Sequence, residues 1–429
     1  MSSGMKKFLL LWIGELISSI GGGLTSFGLG VYVFQKTGSA AGMALVTLLG
    51  FLPTLLFTVP AGVLADRYDR RVLMMIGDGC SGLGILYIFL CMLHGEANLV
   101  QICIGVFVSA IFSSLLDPSY RATITDLLSK EEFSKASGLV SLAGSARYLF
   151  SPVIAGLLLA YHDISLLLLI DISTFFVTIT TTFIVRRGIK AKQPTEKQSF
   201  LESMKEGWRA IHIEKGVFVL VLCSSLITLF LGTLQILVEP MILSFSDSKV
   251  LGIVETLCAS GMLVSGILLG GFGIKKEYGK VLQISFFMAG IFMIGMSIFE
   301  NLVSISIFGF FFFATLPLCN NCMDYLCRTN IPDALQGRAW GFIGFLSQMG
   351  YVLAYAVSGL AADGLGSLSG MGVGRGAAMM IGISGVFLSL VAVTFLRFPA
   401  IRELERKRSR GIVIGNFQKS KAICEFKEA

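Results

Sequence analysis

Charged residues are scarce in this sequence. Asp, Glu, Lys and Arg make up 14% of its 429 residues, whereas 54% of the residues are hydrophobic. Soluble domains carry about 25% charged residues, and a core of this size cannot bury so large an excess of apolar side chains. The composition therefore excludes a water-soluble domain and predicts that lipid surrounds most of the chain.

Several chemical signatures are also missing. The phosphate-binding pattern G-x-x-x-x-G-K-[ST] does not occur, which excludes an ATP-driven motor within this sequence. The three histidines, His94, His162 and His212, lie far apart and have no nucleophile or metal-ligand spacing around them. The C-x-x-C at Cys319 and Cys322 lacks the soluble context of a redox or zinc motif, so we interpret it as packing. We expect no enzyme activity, no metal and no cofactor.

Long apolar runs dominate what is present. A membrane-spanning helix needs about 20 apolar residues. Twelve runs reach that length, at residues 8–35, 40–66, 72–94, 98–117, 138–162, 164–186, 217–243, 248–273, 279–299, 301–327, 337–363 and 376–397. The first run is too long for the apolar region of a signal peptide, so we expect it to remain as a span. The sequence has no segments in which apolar and polar residues alternate, as the strands of a membrane β-barrel would. The 49 scattered glycines favour close packing of helices. The predicted fold class is an all-α membrane protein with twelve transmembrane helices.

The distribution of Lys and Arg predicts the orientation. With the N-terminus in the cytoplasm, the segments on the cytoplasmic side hold 30 of the 34 Lys and Arg residues, as the positive-inside rule requires. Seven separate segments share these residues, which argues against a nucleic-acid-binding patch. We predict a multi-pass protein of the cell (inner) membrane, with both termini in the cytoplasm and the lipid bilayer as its surroundings.

The sequence also divides into two similar halves. Residues 135–160 align without gaps on residues 338–363, which places Gly156 on Gly359. A repeat of six spans is typical of transporters whose binding cavity lies between two bundles. We predict a monomer with a pseudo-twofold axis. Its parts are an N-terminal six-helix bundle over 1–186, a cytoplasmic linker over 187–215, a C-terminal six-helix bundle over 216–397 and a cytoplasmic tail over 398–429.

A dense cluster of charge fills the turn between the second and third spans. Its residues are Gly62, Asp66, Arg67, Asp69, Arg70 and Arg71. The pattern resembles the signature loop of the major facilitator superfamily, G-x-L-A-D-R-x-G-R-R/K, with Asp69 at the second glycine. The resemblance implies a gate, in which Asp66 faces a helix N-terminus and the arginines pair with carboxylates only when the bundle ends meet. We expect Asp117, next to the helix-breaking Pro118, to pair with Arg70. A plain positive-inside anchor is the alternative.

A second motif lies in the fifth span. The stretch "RYLFSPVIAGLL" resembles the antiporter motif of this superfamily, R-x-x-G-P-x-x-A-G, through Ser151, Pro152, Ala155 and Gly156, with Ser151 in place of the first glycine. Pro152 would bend the helix, and the small residues would allow a close neighbour, although ordinary helix packing is the alternative. The first span and loop also resemble the macrolide and siderophore exporter branch, which usually has Gln at the position of Glu15.

Ionisable residues inside spans cost about 3 kcal/mol each on insertion scales unless they are paired or hydrated. The candidates for proton or substrate binding are Glu15, Arg147, Asp171, Glu239 and Glu255. Spans one and five are neighbours in the superfamily, so we expect Glu15 to pair with Arg147, either as a structural ion pair or as a proton and substrate switch. Solvated helix ends are the alternative for the other three acids.

Two further acids, Asp78 and Asp324, are expected in the gate network. The fourth span lacks the buried arginine of many drug–proton antiporters, so the sequence assigns no proton route.

Three functions remain open. We favour a secondary active exporter that exchanges protons for a mid-sized amphipathic small molecule, such as a macrolide-like drug or a siderophore-like metabolite. The 34 Phe and 17 Met residues suit an adaptable apolar cavity. A proton-coupled or facilitative importer of a small nutrient fits the signature loop equally, and only the fifth-span motif argues against it. The third function, from another class, is a non-transporting membrane sensor.

Overall fold

The computed structural model describes residues 2–129, 132–186, 208, 215–274, 277–331 and 336–395. Across these residues the chain forms thirteen α-helices and no β-strand. The helices supply twelve spans that are long and apolar enough to cross a membrane. The predicted all-α membrane fold is therefore confirmed. The predicted tail over 398–429 lies outside the described residues, and so does the linker apart from Trp208 and Lys215.

The first six spans consist of seven helices. They are α1 (Ser3–Thr37), α2 (Ala40–Arg67), α3 (Arg70–Leu93), α4 (Leu99–Ser113), α5 (Leu116–Leu127), α6 (Phe133–Leu159) and α7 (Ile164–Arg186). Helices α4 and α5 together form the fourth span. The last six spans are α8 (Lys215–Leu243), α9 (Ser248–Phe272), α10 (Tyr278–Ile298), α11 (Leu302–Asn330), α12 (Gln336–Ser369) and α13 (Val373–Phe395).

Short polar residues fix several helix ends. The Ser39 side chain accepts from the Gly42 N–H at the start of α2, and Asp247 accepts from the Val250 N–H at the start of α9. These oxygens accept hydrogen bonds from N–H groups of the first helical turn, which have no acceptor within the helix. At the end of α1, Gly38 has a φ of 60°, a left-handed conformation that favours glycine.

The predicted break of the fourth span at Pro118 is wrong. The helix bends at Ser114 and Leu115 instead, and Pro118 lies in the first turn of α5, where its missing N–H is not needed. The fourth span therefore continues to Leu127, well beyond the predicted end at Asp117.

Helices α1–α7 form the first bundle and α8–α13 form the second. The principal contacts between the bundles join α6 to α9 and α2 to α12, that is, spans five and eight and spans two and eleven. One continuous cluster of buried apolar residues extends across both bundles. We call the end of the molecule that carries Arg67–Arg71 the basic end, and the end that carries Ser39 and Asp363 the opposite end.

Candidate functional site

The loop between α2 and α3 is tied to its own bundle. Asp69 accepts a hydrogen bond from the Arg71 backbone N–H at 3.1 Å and thereby caps α3. The same carboxylate pairs with Arg186 of α7, with 3.1 Å between Oδ2 and Nε. The aspartate at the glycine position of the family pattern thus joins the loop to the end of α7.

The loop arginines pair with Asp126 of α5. Arg70 Nη1 lies 2.9 Å from Asp126 Oδ1, and Arg71 Nη2 lies 3.6 Å from Oδ2. The expected Arg70–Asp117 pair is wrong, because Asp117 is exposed and pairs with Arg121 one turn along α5. The sequence reading ended the span at Asp117, whereas the longer helix brings Asp126 to the loop.

These ion pairs lie within the first bundle, so they do not require the two bundles to meet at the basic end. The sequence predicted that the arginines form ion pairs only when the two bundles meet at the basic end. The ion pairs in the structure form within the first bundle, without that closure. Arg67 is exposed, and the side chain of Asp66 lies outside the described part of the chain. A Cβ placed on Gly62 would meet no atom of the described residues within 4 Å. A role of Asp66 and Arg67 in closing this end stays a prediction.

The antiporter-like motif lies where α6 crosses α9 of the other bundle. A Cβ on Gly156 would lie 2.5 Å from the Ser248 carbonyl oxygen. A Cβ on Gly252 of α9 would overlap the Pro152 carbonyl. The absence of side chains at both positions lets the two backbones touch, as small residues do in membrane proteins.

The other two motif residues pack at the same crossing. Ala155 is fully buried, and Ser151, which is 1% exposed, donates to the Ile20 carbonyl of α1 at 3.0 Å. One helical turn away, Thr256 of α9 donates to the Leu149 carbonyl at 3.0 Å. The hydrogen bond of Ser151 therefore joins α6 to α1 of the same bundle, and the hydrogen bond of Thr256 joins α6 to α9 of the other bundle.

The second crossing joins α2 to α12. A Cβ on Gly359 would lie 2.6 Å from the Ala40 carbonyl oxygen. The Asp363 carboxylate accepts from the Ser39 hydroxyl at 2.6 Å and from the backbone N–H groups of Ala40 and Ala41 at 2.9 and 3.1 Å. A carboxylate at a helix N-terminus is stabilised by the unpaired N–H groups and by the helix dipole. The glycines that the sequence repeat aligns, Gly156 and Gly359, thus occupy equivalent crossings at the opposite end.

Aromatic rings lie between this closed end and the centre of the molecule. The ring of Phe51 in α2 lies 5.6 Å from both Tyr351 and Tyr355 of α12, measured between centroids. The Tyr355 hydroxyl donates to Gln235 Oε1 at 2.9 Å. The three rings join the bundles about halfway along α2.

A cavity of about 520 Å³ lies in the second bundle toward the basic end. Its wall is mostly apolar and carries a few polar groups on α8, α11 and α12, among them Ser224, Asn320, Asn321, Asp324 and Ser347. Binding sites for drug-sized molecules have this size, about 300–1,000 Å³, and this mixture of groups. The indole N–H of Trp340 in the wall is buried and has no acceptor among the described residues.

The cavity is accessible from the basic end. Asp324 is about half-exposed, and its Oδ2 lies 2.7 Å from Arg328 Nε one turn along α11. A Cβ on Gly144 of α6 or on Gly344 of α12 would meet no atom of the described residues within 4 Å. The bundles are therefore apart on this side and in contact at the opposite end.

Glu15 and Arg147 do not form the expected ion pair within the described residues. The Arg147 guanidinium donates to the Ser26 hydroxyl of α1 at 2.9 Å. Ser26 is eleven residues beyond Glu15, about 16 Å along the helix axis. The pairing prediction is wrong because the packing of α6 on α1 brings Arg147 level with Gly23, where an added Cβ would lie 3.0 Å from Arg147 Cγ. Gly23 is eight residues beyond Glu15 along α1.

Two acids are buried inside the first bundle. Asp171 of α7 is 2% exposed and Asp78 of α3 is 3% exposed. Asp78 faces Thr178 of α7 rather than the loop arginines, which differs from the expected place in the gate network. Asp171 is too deeply buried to be a solvated helix end.

The remaining two acids lie between the bundles. One carboxylate oxygen of Glu239, Oε2, is buried without a hydrogen-bond partner among the described residues, and it faces the backbone of α1 at Gly30. Glu255 of α9 interacts with it electrostatically. Both side chains are half-buried, so the solvated-end reading does not describe them.

The sequence reading missed Asp126, Asp363 and Trp340. The predicted end of the fourth span at Asp117 leaves Asp126 outside the predicted helices, whereas α5 continues to Leu127. Asp363 is the last residue of a predicted span, and the offset of the repeat pairs it with Ala160, so the repeat gave no signal. Trp340 lies at the start of a span, where a tryptophan is ordinarily an interfacial anchor.

The chain matches known proteins over nearly its whole length. The family model described as Major Facilitator Superfamily matches residues 11–355. Macrolide efflux protein A of Streptococcus pyogenes is 28% identical over 372 residues, which cover 84% of this chain and 90% of that protein. Enterobactin exporter EntS of Shigella boydii is 25% identical over 400 residues, which cover 91% and 93%.

Solved structures share the fold. A bacterial homologue of the human lysosomal transporter Spinster, in an inward-facing and unoccupied conformation, superposes with a TM-score of 0.73 at 14% identity over 95% of this chain and 99% of that one. A bacterial homologue of the iron transporter ferroportin, in an inward-facing state, gives 0.71 at 16% identity over 92% and 99%.

Proposed function

Because this chain belongs to the Major Facilitator Superfamily, we propose that it is a secondary active exporter that exchanges protons for a mid-sized amphipathic small molecule. The observation that carries the proposal is the cavity of about 520 Å³ in the second bundle, accessible at the basic end and closed off at the opposite end. Alternating access requires such a state, together with its reverse. Membership of the family makes the chain a transporter embedded in a bilayer rather than an enzyme.

The direction and the substrate class come from the efflux relatives. Two groups of relatives that cover most of the chain are named for export, one of macrolides and one of enterobactin. Both compounds are amphipathic and rich in oxygen acceptors, which suits a mostly apolar wall with several amides and an indole N–H that has no acceptor among the described residues. We propose export of a macrolide-like or siderophore-like compound by a monomer in the cell membrane, with both termini in the cytoplasm.

Transport in inside-out vesicles tests this function. Vesicles with an acidic interior should accumulate radiolabelled erythromycin or enterobactin against its gradient, and collapse of the pH gradient should release it. A matched inactive control is Gly252→Leu, because its side chain would enter the space of the Pro152 carbonyl and prevent closure. Uptake that is independent of the pH gradient, or equal to that of the control, would contradict proton-coupled export. Accumulation only in right-side-out vesicles would indicate the importer.

Cysteine labelling tests the orientation. Tyr68, at the basic end, is 63% exposed, and Tyr161, at the opposite end, is 76% exposed. A membrane-impermeant maleimide should label Tyr161→Cys in intact cells and Tyr68→Cys only in inside-out vesicles. The reverse pattern would place the termini outside the cytoplasm.

A further inference from the structure

A row of polar side chains lines the buried face of α7. Asp171, Thr174, Thr178 and Thr181 recur every three or four residues, which places them on one side of the helix, and all four are buried. This side packs on α1, where a Cβ on Gly21 would lie 2.9 Å from Asp171 Oδ1. Threonine hydroxyls in membrane helices commonly bond to their own backbone, as Thr174 does to the Asp171 carbonyl at 2.7 Å. The threonine hydroxyls are therefore satisfied by the backbone of their own helix. The carboxyl of Asp171, at the head of the row, still has an oxygen to be explained.

Two oxygen atoms at the head of the row have no hydrogen-bond partner in the part of the chain that the structure describes. Asp171 is 2% exposed and Thr25 of α1 is 4% exposed, and the two side chains face each other. Neither Asp171 Oδ1 nor Thr25 Oγ1 has a hydrogen-bond partner that meets normal geometry among the described residues. A buried polar atom without a partner calls for a specific explanation. An ionised carboxylate with an unsatisfied oxygen is costly to bury, and one proton on Oδ1 removes the charge and makes the carboxyl a donor to Thr25.

The row continues toward the basic end through two more acids. Asp78 of α3 faces Thr178, which is seven residues and about 10 Å beyond Asp171 along α7. Glu15 of α1 interacts electrostatically with Asp78 and is half-buried. The three carboxyls therefore descend through the first bundle from the closed opposite end toward the accessible basic end.

The other charged groups that face this row come from neighbouring helices. Arg147 of α6 interacts electrostatically with both Asp171 and Glu15, and Asp117 of α5 interacts electrostatically with Glu15. The phenol of Tyr120 in α5 also lies near Glu15. The row thus holds three acids and one nearby cation, and it lies outside the cavity of the second bundle.

We infer that Asp171 binds the coupling proton, and that Thr174, Thr178, Asp78 and Glu15 form its route through the first bundle. This inference rests on the proposed proton antiport. A proton passes from a hydronium ion at the opposite end to Asp171 Oδ1 and leaves water behind. It returns to water beside Glu15 at the basic end, and no other bond changes. The proton and the substrate would then occupy different bundles, so they would be coupled through the movement of the bundles rather than by competition for one site.

Carbodiimide labelling of the purified full-length protein tests the proton site without any substrate. Dicyclohexylcarbodiimide reacts with protonated carboxyls in apolar surroundings, and mass spectrometry locates the adduct. We expect Asp171 to be modified more at pH 6 than at pH 8, and Asp171→Asn to lose this adduct. The matched control is Asp163→Asn, an exposed acid just before α7, which should leave labelling of Asp171 unchanged. Absence of pH-dependent labelling at Asp171 would overturn the inference.

Transport assays distinguish a role of Asp171 in proton coupling from a role in folding. In inside-out vesicles, Asp171→Asn should lose accumulation of erythromycin driven by the pH gradient but retain exchange of labelled for unlabelled erythromycin without a gradient. Asp171→Glu should recover part of the gradient-driven accumulation. Gradient-driven accumulation by the Asn variant would overturn the inference, as would loss of exchange in both variants, which would assign Asp171 to folding. If the wild type carries no erythromycin or enterobactin, the proposed function fails, while the labelling experiment still decides the proton site.

Discussion

Adding one methyl group at Gly156 should shift the protein away from the state that is closed at the opposite end. In the Gly156→Ala variant the new Cβ would lie 2.5 Å from the Ser248 carbonyl oxygen, whereas ordinary contact begins at 3.4 Å. The obstacle is backbone rather than a flexible side chain, so α6 and α9 must separate by roughly the difference between these two distances. When the opposite end opens, this contact is absent and the methyl group meets no obstacle.

The size of the shift follows from the cost of overpacking. Inserting a methyl group into a tight contact costs about 1–3 kcal/mol. This cost applies only to the conformer with the closed crossing, so the ratio of the two conformers should change by about 5- to 150-fold. The higher helix propensity of alanine, about 1 kcal/mol, acts equally on both conformers and cancels.

Distances between spin labels measure this shift. Labels at Tyr161 and Met371 lie on different bundles at the opposite end, at side chains that are 76% and 64% exposed. Electron–electron double resonance should show a larger population of long distances for Gly156→Ala than for the parent. The matched control is Gly138→Ala on the same helix, where a Cβ meets no atom of the described residues within 4 Å. Identical distance distributions for the two alanine variants would refute the role of the crossing.

Three further predictions follow from the ion pairs and the cavity. Asp363→Asn should lower the population closed at the opposite end, because the charge-assisted bonds that it weakens contribute about 1.5–3 kcal/mol; an unchanged distance distribution would contradict this. Asp126→Asn should lower the thermal midpoint of the detergent-solubilised protein because Arg71 is 2% exposed, whereas the exposed pair of Asp117 contributes about 0–1 kcal/mol and Asp117→Asn should change little. Equal midpoints for these two variants would refute the assignment. Trp340→Phe should raise the KM for an exported macrolide, because it removes an indole N–H that has no acceptor among the described residues. It also shrinks the ring that lies 5.0 Å from the Arg328 guanidinium, so the thermal midpoint should fall as well; an unchanged KM for every compound carried would remove Trp340 from the binding site.

Hydropathy was enough to predict the spans. Apart from the fourth, most described helices start and end within three residues of their predicted limits, because lipid requires a continuous apolar run and the polar caps stop it. The exceptions are the starts of α1 and α6, which lie five residues earlier, and the end of α12, which lies six residues later. The fourth span shows where this reasoning fails. Pro118 is as compatible with the first turn of a helix as with a break, and hydropathy cannot distinguish these two cases when polar residues follow.

The partners of charged side chains could not be predicted in the same way. Asp117 and Asp126 are both acids near the signature loop, and only the length of α5 decides which of them reaches Arg70. For Arg147, the register in which α6 packs on α1 decides which residues of α1 it meets, and the sequence does not show that register. By contrast, the small residues at Gly156 and Gly359 were visible in the repeat, although the sequence did not show which backbones they touch.

The two glycine crossings have a consequence for idle protein in an energised membrane. They lie at the same end and join different pairs of helices, so thermal motion that parts one of them leaves the other in place as a pivot. A continuous water path would need both to separate in the same fluctuation, which is far rarer than either alone. A transporter built in this way would preserve the proton gradient of a cell that has nothing to expel.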